Sequence, residues 1–215
     1  MTVRLPLSAE DVARVYKKHA RYYDKTFALV IRQPLRAVVR EVNSETQGHL
    51  LDVGIGTGMS LPIYKPDLQI TGIDISVDML KRARRRAAKH GLTNVAGLLE
   101  MDGGAMTFPD NHFDAVLATF VLSVAPNPAQ MLAEMHRVCK PGGKIYVFNH
   151  FHAGGDRPFL KRLERKLASA SRNLGWHPDI QKNALKIDEL DLRLISERRL
   201  GMMGLFTFIK LQKPD

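Results

Sequence analysis

Residues 50–58, Leu-Leu-Asp-Val-Gly-Ile-Gly-Thr-Gly, join an apolar run to a carboxylate and three alternate glycines, Gly54, Gly56 and Gly58. Such a stretch reads as a buried strand that enters a tight turn and then a helix. Glycine accepts φ > 0 and carries no Cβ, so a ligand can approach the main chain closely. The chemistry this suits is the holding of a nucleotide-like molecule. Spacing narrows the choice. The dinucleotide fingerprint G-x-G-x-x-G requires glycine at position 59, where this chain has Met59.

Ligands of open α/β sheets lie beyond the carboxyl ends of the strands. That rule selects few residues here. The first strand ends at Asp52 and the glycine turn. A second strand over 69–74 ends at Asp74, which follows Gly54 by twenty residues. A carboxylate there can accept both hydrogen bonds of a ribose diol. A third strand leads into Met101-Asp102-Gly103, where a carboxylate and a main-chain N–H can read an adenine edge. The fourth ends at Thr119-Phe120 and the fifth at Asn149-His150. Singly, each feature has a plainer reading: a turn, a helix cap, a loop acid. Their conjunction at successive strand ends argues for a bound cofactor in one crevice.

The elements that must position these residues follow from periodicity and turn chemistry. Residues 8–32 form an amphipathic pattern, with Ser8 as a cap and Asp11 in the first turn. Val12, Tyr16, His19, Tyr23, Phe27 and Val30 recur at helical spacing. Pro34 ends this helix or opens the next, and 35–42 is a second apolar-periodic segment. Strands are expected at 49–53, 69–74, 94–99, 113–120 and 144–148. Helices are expected at 76–90, capped by Ser76 and stopped by Gly91, and at 128–139, ended by Pro141-Gly142-Gly143. This alternation implies a mostly parallel sheet with helices on both faces. Runs at 191–200 and 205–212 predict an antiparallel hairpin that closes the sheet. The long basic segment 149–190 is expected to hold helices at 157–172.

The 215 residues suit one domain with a sizeable core. No apolar run reaches the length of a membrane span, and the first residues lack the apolar core of a signal peptide. Cys139 is the single cysteine, which excludes an internal disulfide and a multi-cysteine metal site. At the end of a helix it reads as a core or boundary residue rather than a nucleophile. The eight histidines show no H-x-x-x-H spacing, so no metal is expected. The net charge of +10 implies a polyanionic partner, either nucleic acid or an anionic membrane surface. Residues 1–40 carry nine Lys or Arg against three acids. A basic amphipathic helix with aromatic residues suits a membrane surface, and it equally suits a helix packed on the domain. The run Lys81, Arg82, Arg84, Arg85, Arg86 and Lys89 reads as a solvated helix face.

Gly-Ile-Gly-Thr-Gly-Met-Ser-Leu-Pro-Ile-Tyr at 54–64, Thr-Gly-Ile-Asp-Ile-Ser at 71–76 and Pro-Gly-Gly-Lys at 141–144 resemble Class I S-adenosylmethionine-dependent methyltransferases. Narrower motifs are Tyr-Tyr-Asp at 22–24, Leu-Pro-Ile-Tyr-Lys-Pro at 61–66, Asn-His-Phe at 149–151, Leu-Gly-Trp-His at 174–177 and Gly-Leu-Phe-Thr-Phe at 204–208. With these the chain resembles the bacterial phosphatidylethanolamine N-methyltransferases of the soluble, Rhodobacter-like type.

The resemblance implies a three-layer α/β fold with a seven-stranded, mostly parallel sheet and an antiparallel last strand, plus N-terminal amphipathic helices. It divides the chain into a lid or membrane-contact segment, 1–43, and a methyltransferase domain, 44–215. It implies that Asp52, Gly54, Gly56 and Gly58 hold the amino-acid end of S-adenosylmethionine, that Asp74 holds the ribose with Ile75 and Met79 nearby, and that Asp102 and Gly103 meet the adenine. Thr119 lies at the same crevice. Around the methyl-transfer point it places Tyr16, Tyr22, Tyr23 and Trp176 as cation–π partners, with His19, His150, Tyr23 or water to take the amine proton. The implied partners are a phospholipid substrate and an anionic membrane surface, with S-adenosylhomocysteine as by-product, no metal and no nucleic acid. A monomer in the cytoplasm, reversibly bound to the inner face of the cell membrane, is the expected setting. A methyltransferase for a quinone or a soluble small molecule shares every cofactor residue. A nucleic-acid methyltransferase fits less well, because Thr119-Phe120-Val121-Leu122 departs from the Asn/Asp-Pro-Pro-Tyr type of motif.

Overall fold

A computed structural model describes residues 31–151, 181–201 and 204–215 of the chain. Helix α1 covers the described residues 31–45. It is followed by β1 (His49–Val53), β2 (Gln69–Asp74), α2 (Val77–Lys89), β3 (Val95–Glu100), β4 (Phe113–Thr119), α3 (Pro128–Val138), β5 (Cys139–Asn149), β6 (Arg193–Leu200) and β7 (Phe206–Gln212). The seven strands form one sheet in the order β3-β2-β1-β4-β5-β7-β6. The first five pair in parallel, and β7 runs antiparallel to both β5 and β6. The expected fold class, with its antiparallel last strand, is what the chain adopts.

Period-two alternation sorts the side chains onto two faces. Leu50, Leu117, Tyr146, Phe148 and Phe208 face one way and pack with Val38, Val39 and Val42 of α1 and Leu80 and Ala83 of α2. Leu51, Val116, Ile145, Val147 and Leu211 face the other way, against Met131, Leu132 and Met135 of α3. Helix α2 begins as its sequence predicts: the Ser76 side chain accepts from the Met79 N–H, and Gly91 lies beyond the end with φ +60°. Asn127 caps α3 in the same way, accepting from Gln130 N–H.

Most other elements keep their expected bounds to within two residues, and three differences have a structural cause. Residues 31–33 are already helical, so Pro34 lies inside α1 rather than between two helices. Strand β4 stops at Thr119, because Phe120 turns to φ +58°. Strand β5 starts at Cys139, so Pro141-Gly142-Gly143 lies within a strand. The pairing jumps from Phe113↔Cys139 to Ala115↔Lys144, and the Lys140 ammonium on Asp114 holds the extra residues against the sheet. Cys139 is fully buried, and burial pushes its thiol up to about 12, as befits a core residue. The expected helix at 157–172, and all of the one at 8–32 that precedes residue 31, lie outside the described residues.

Leu50 is fully buried at the centre of the sheet under α1. Leu50→Ala is expected to cost about 2–5 kcal/mol by the loss of buried methylenes and the cavity left behind. Urea denaturation measures this.

Candidate active site

The carboxyl ends of β1, β2 and β4 open into a cleft whose rim includes the glycine turn, Ile31 and Leu35 of α1, and the segment 119–126. Two acceptors at the end of β2 hold the turn. The N–H groups of Gly54 and Ile55 donate to Ile73 O at 2.9 and 3.0 Å, and Gly56 N–H donates to Asp74 Oδ2 at 2.8 Å. Gly54 has φ +68°, and a Cβ there would lie 2.5 Å from the Val121 side chain. Gly58 has φ +73°, and a Cβ would come within 2.7 Å of Leu61 Cδ1 and 3.1 Å of Ala83 Cβ. Glycine is thus required at both positions for conformation and for close packing.

Asp74 lines the cleft with both oxygens oriented, Oδ1 accepting from Ser76 N–H at 2.8 Å. Burial raises its pKa, against the pull of these two N–H donors. Ile75, Met79, Thr119, Asp102 and Gly103 also line the cleft. Asp102 Oδ1 accepts from Gly104 N–H at 2.8 Å, and a Cβ on Gly103 would lie 2.9 Å from Val53 Cγ1.

Asp52 is placed differently. It is fully buried and lies beneath the cleft rather than on its lining. By parity with Leu50 it faces the α1–α2 side, where Ser60 Oγ and Tyr64 OH donate to its Oδ2 at 2.7 and 2.8 Å. Oδ1 is buried and has no hydrogen-bond partner among the described residues. Burial raises this carboxyl to about 6, with the neighbouring Asp74 adding to the rise and the Ser60 and Tyr64 donors opposing it.

His150 lies off the cleft lining. Its ring is buried, with Nδ1 2.6 Å from Leu205 O and the ring edge-on to Phe206. A carbonyl only accepts, so Nδ1 carries the proton. The ring therefore ties the end of β5 to the start of β7. Tyr16, His19, Tyr22, Tyr23 and Trp176 lie outside the described residues.

Several lining residues had no signal at the sequence level. Met59, Val121, Ala125, Pro126 and Met131 reach the cleft from three separate segments, and apolar side chains outside a recognised motif look like any core residue. The link from Asp52 to Ser60 and Tyr64 was equally silent, since no periodicity joins those positions.

Among the described lining residues the charged side chains are Asp74 and Asp102, and most of the rest are apolar. On a chain of net charge +10, that is a local reversal of sign. It suits a ligand that carries positive charge and apolar surface. The residues fit S-adenosylmethionine, a sulfonium with an ammonium group: the orphaned Asp52 oxygen lacks a donor, and Asp74 retains acceptor capacity toward hydroxyls.

The raised Asp52 pKa links stability to pH. The folded state binds this proton more tightly than the unfolded chain does. Its contribution is therefore full below the unfolded value of 3.8 and is lost as pH rises toward about 6. The loss is up to about 3 kcal/mol, from about 1.4 kcal/mol for each pH unit by which the pKa is raised. Asp52→Asn removes that slope. Denaturation of both proteins without ligand between pH 4 and 7 should show the wild type losing ground to the variant up to about pH 6; parallel curves would refute the assignment. Glu45, Asp114 and Glu134, whose pKa values are lowered, act in the opposite direction but equally in both proteins.

Residues 51–147 match a family described as a methyltransferase domain. The phosphatidylethanolamine N-methyltransferase of Cereibacter sphaeroides is 39% identical over 207 residues, covering 96% of this chain and 100% of that protein. A demethylmenaquinone methyltransferase of Renibacterium salmoninarum is 36% identical, over 79% of this chain and 72% of that one. Among solved structures, a Thermotoga maritima protein described as an S-adenosylmethionine-dependent methyltransferase superposes with TM-score 0.68 at 20% identity, over 93% and 99% of the two chains. The [4+2]-cyclase SpnF superposes with TM-score 0.74 at 19% identity, over 98% of each. These superpositions speak for the fold alone, since a cyclase shares it. The near-complete match to the Cereibacter enzyme speaks for more: the chain belongs to the S-adenosylmethionine-dependent methyltransferases, in the family of the phosphatidylethanolamine N-methyltransferases.

Proposed function

We propose that the protein methylates the amine nitrogen of phosphatidylethanolamine, and then its mono- and dimethyl forms, to yield phosphatidylcholine at an anionic membrane surface. The observation that carries the reading is the acidic, apolar cleft on a strongly basic chain. The end-to-end similarity to the Cereibacter enzyme supports this acceptor over others.

When bound, S-adenosylmethionine supplies an electrophilic methyl group on a positively charged sulfur. Asp52, buried beneath the cleft, would attract its ammonium by charge rather than by contact, while Asp74 would hold its ribose hydroxyls, and Asp102 with the Gly103 main chain its adenine. Much of the remaining work is alignment and exclusion of water. Met59, Met79, Phe120, Val121 and Met131 line the cleft with apolar surface. A primary amine with a reference pKa near ~10 is mostly protonated at neutral pH and must be neutral to react. Partial burial among these side chains lowers its pKa, because desolvation disfavours the charged form. Tyr16, Tyr22, Tyr23 and Trp176 would then attract the methylated ammonium, with cation–π contacts of about 0.5–2 kcal/mol each. Such contacts tolerate the loss of N–H donors at each methylation.

The basic residues offset the acidic cleft. An anionic surface attracts nearby basic side chains by about 1 kcal/mol each, and residues 1–40 are rich in them. Binding to the inner face of the cell membrane is therefore reversible and salt-dependent in this reading. Methyl transfer to a quinone is the second reading, supported by the Renibacterium relative.

Radiolabelled S-adenosylmethionine is expected to label lipid in vesicles of phosphatidylethanolamine mixed with phosphatidylglycerol, giving mono-, di- and trimethylated products. No lipid label, with label entering demethylmenaquinone instead, would reject the first reading in favour of the second. Removal of residues 1–30 is expected to weaken sedimentation with anionic vesicles.

A further inference from the structure

We propose that Arg86 is a positioning residue that clamps the glycine turn from α2 and thereby sets the affinity for S-adenosylmethionine. The proposal rests on the methyltransferase assignment and is independent of which acceptor is methylated.

The basic run on α2 reads in sequence as a solvated face, and Lys81, Arg85 and Lys89 are exposed, while Arg84 donates to Leu98 O at 2.6 Å. Arg86 differs. It is half-buried, and its guanidinium donates to both the main-chain oxygen of Thr57 and the Thr57 hydroxyl, the latter at 2.9 Å. Thr57 is buried between Gly56 and Gly58, in the middle of the turn.

The Thr57 carbonyl belongs to the peptide that carries the Gly58 N–H. In a trans peptide these two groups point in opposite directions. Drawing the oxygen toward α2 therefore aims the Gly58 N–H back across the turn, where it donates to Ile55 O at 3.0 Å. Ala83, one helical turn before Arg86 and on the same face, packs close to Gly58. Asp74 holds the Gly56 N–H on the other side. The turn is thus gripped by a carboxylate at the 55–56 peptide and by a guanidinium at the 57–58 peptide. Both grips come from β2 and α2, the elements that also carry the expected ribose site.

Such a clamp matters because the segment 54–58 holds three glycines and has much freedom to lose on binding. Ordering it before the ligand arrives lowers the cost of association. Thr57 offers neutral acceptors, so Arg86 contributes two directed hydrogen bonds rather than an ion pair. Both bonds come from the single nitrogen Nη1, so the length of the side chain that places this nitrogen decides the contact.

Titration calorimetry with S-adenosylmethionine tests the assignment. Arg86→Met is expected to raise Kd about tenfold, the scale of a lost charge-assisted hydrogen bond, with KM for the cofactor rising in parallel and kcat falling less than about threefold. Thr57→Val, which keeps the main-chain acceptor, and Arg86→Lys, whose ammonium ends one bond short of Nη1, should lie between wild type and Arg86→Met. Arg85→Met removes the same charge one residue away and should leave Kd unaltered. The proposal is overturned if Arg86→Met binds as tightly as wild type, or if Arg85→Met weakens binding equally, which would make the effect one of net charge. If Arg86→Met does not fold, unchanged Kd in both Arg86→Lys and Thr57→Val overturns it equally. A wild-type protein that bound no S-adenosylmethionine would overturn the cofactor assignment as well, whereas tight wild-type binding with an unaltered Arg86→Met strikes at the clamp alone.

Discussion

The parallel register of β1 and β2 is the constraint from which the site is built. Val53 lies beside Ile73 and Asp52 beside Gly72, so the chain leaving β1 passes the end of β2 at hydrogen-bonding distance. Ile73 O then receives two N–H groups from the turn, and Asp74 receives a third. A slip of one residue would turn every side chain of the strand to the opposite face. It would bring Asp52 to the α3 side, away from Ser60 and Tyr64, and would leave the turn without its acceptors. Gly72, where a Cβ would meet Ile55 and Leu98, and the two apolar cores hold that register, which is why a candidate site framed largely by main chain depends on hydrophobic packing some distance away.

The helix over the cleft is fixed from its far end. Lys210 of β7 is nearly buried, with its Nζ 2.8 Å from Glu41 Oε1 and 2.6 Å from Glu45 Oε1. Lys144 and Arg198 bind the same two carboxylates. The hydrogen bonds from Lys210 and Lys144 hold Glu45 below its ordinary value although burial acts to raise it. A surface pair is worth little by itself, but here several charges converge on one helix end, and Val38, Val39 and Val42 follow them into the core. The other end of α1 is thereby aimed so that Ile31 and Leu35 reach the cleft. The division expected between residues 43 and 44 falls inside this helix, whose apolar face belongs to the core of the α/β domain.

Charge is distributed with the same economy. The chain is strongly basic, yet the described cleft presents two carboxylates, and a third, Asp52, is buried beneath it with an oxygen that has no hydrogen-bond partner among the described residues. Burial alone would disfavour that arrangement, as the raised pKa of Asp52 records.

Much of this was legible beforehand. The strands, helices and their alternation follow from local patterns: Ser76 before α2, Gly91 after it, apolar runs for the parallel strands. The glycine turn, Asp74, Asp102 and Gly103 were found because strand ends in an open sheet share one edge, a rule that turns sequence order into spatial order. Other features depended on contacts between distant segments. Pro141 and the paired glycines look like a helix terminator, and only the pairing of Cys139 with Phe113 makes them part of a strand. Arg86 looks like its neighbours until Thr57 is brought against it. Asp52 and His150 both stand at strand ends, but the parity of the strand turns Asp52 beneath the cleft, and the antiparallel β7 supplies the carbonyl that holds His150. The sequence by itself determined which elements form and which residues end them, because those choices rest on neighbours within a few positions. The tertiary structure decided which polar groups meet, because hydrogen bonds between residues 52 and 64, 57 and 86, or 150 and 205 exist only once the sheet has set its register.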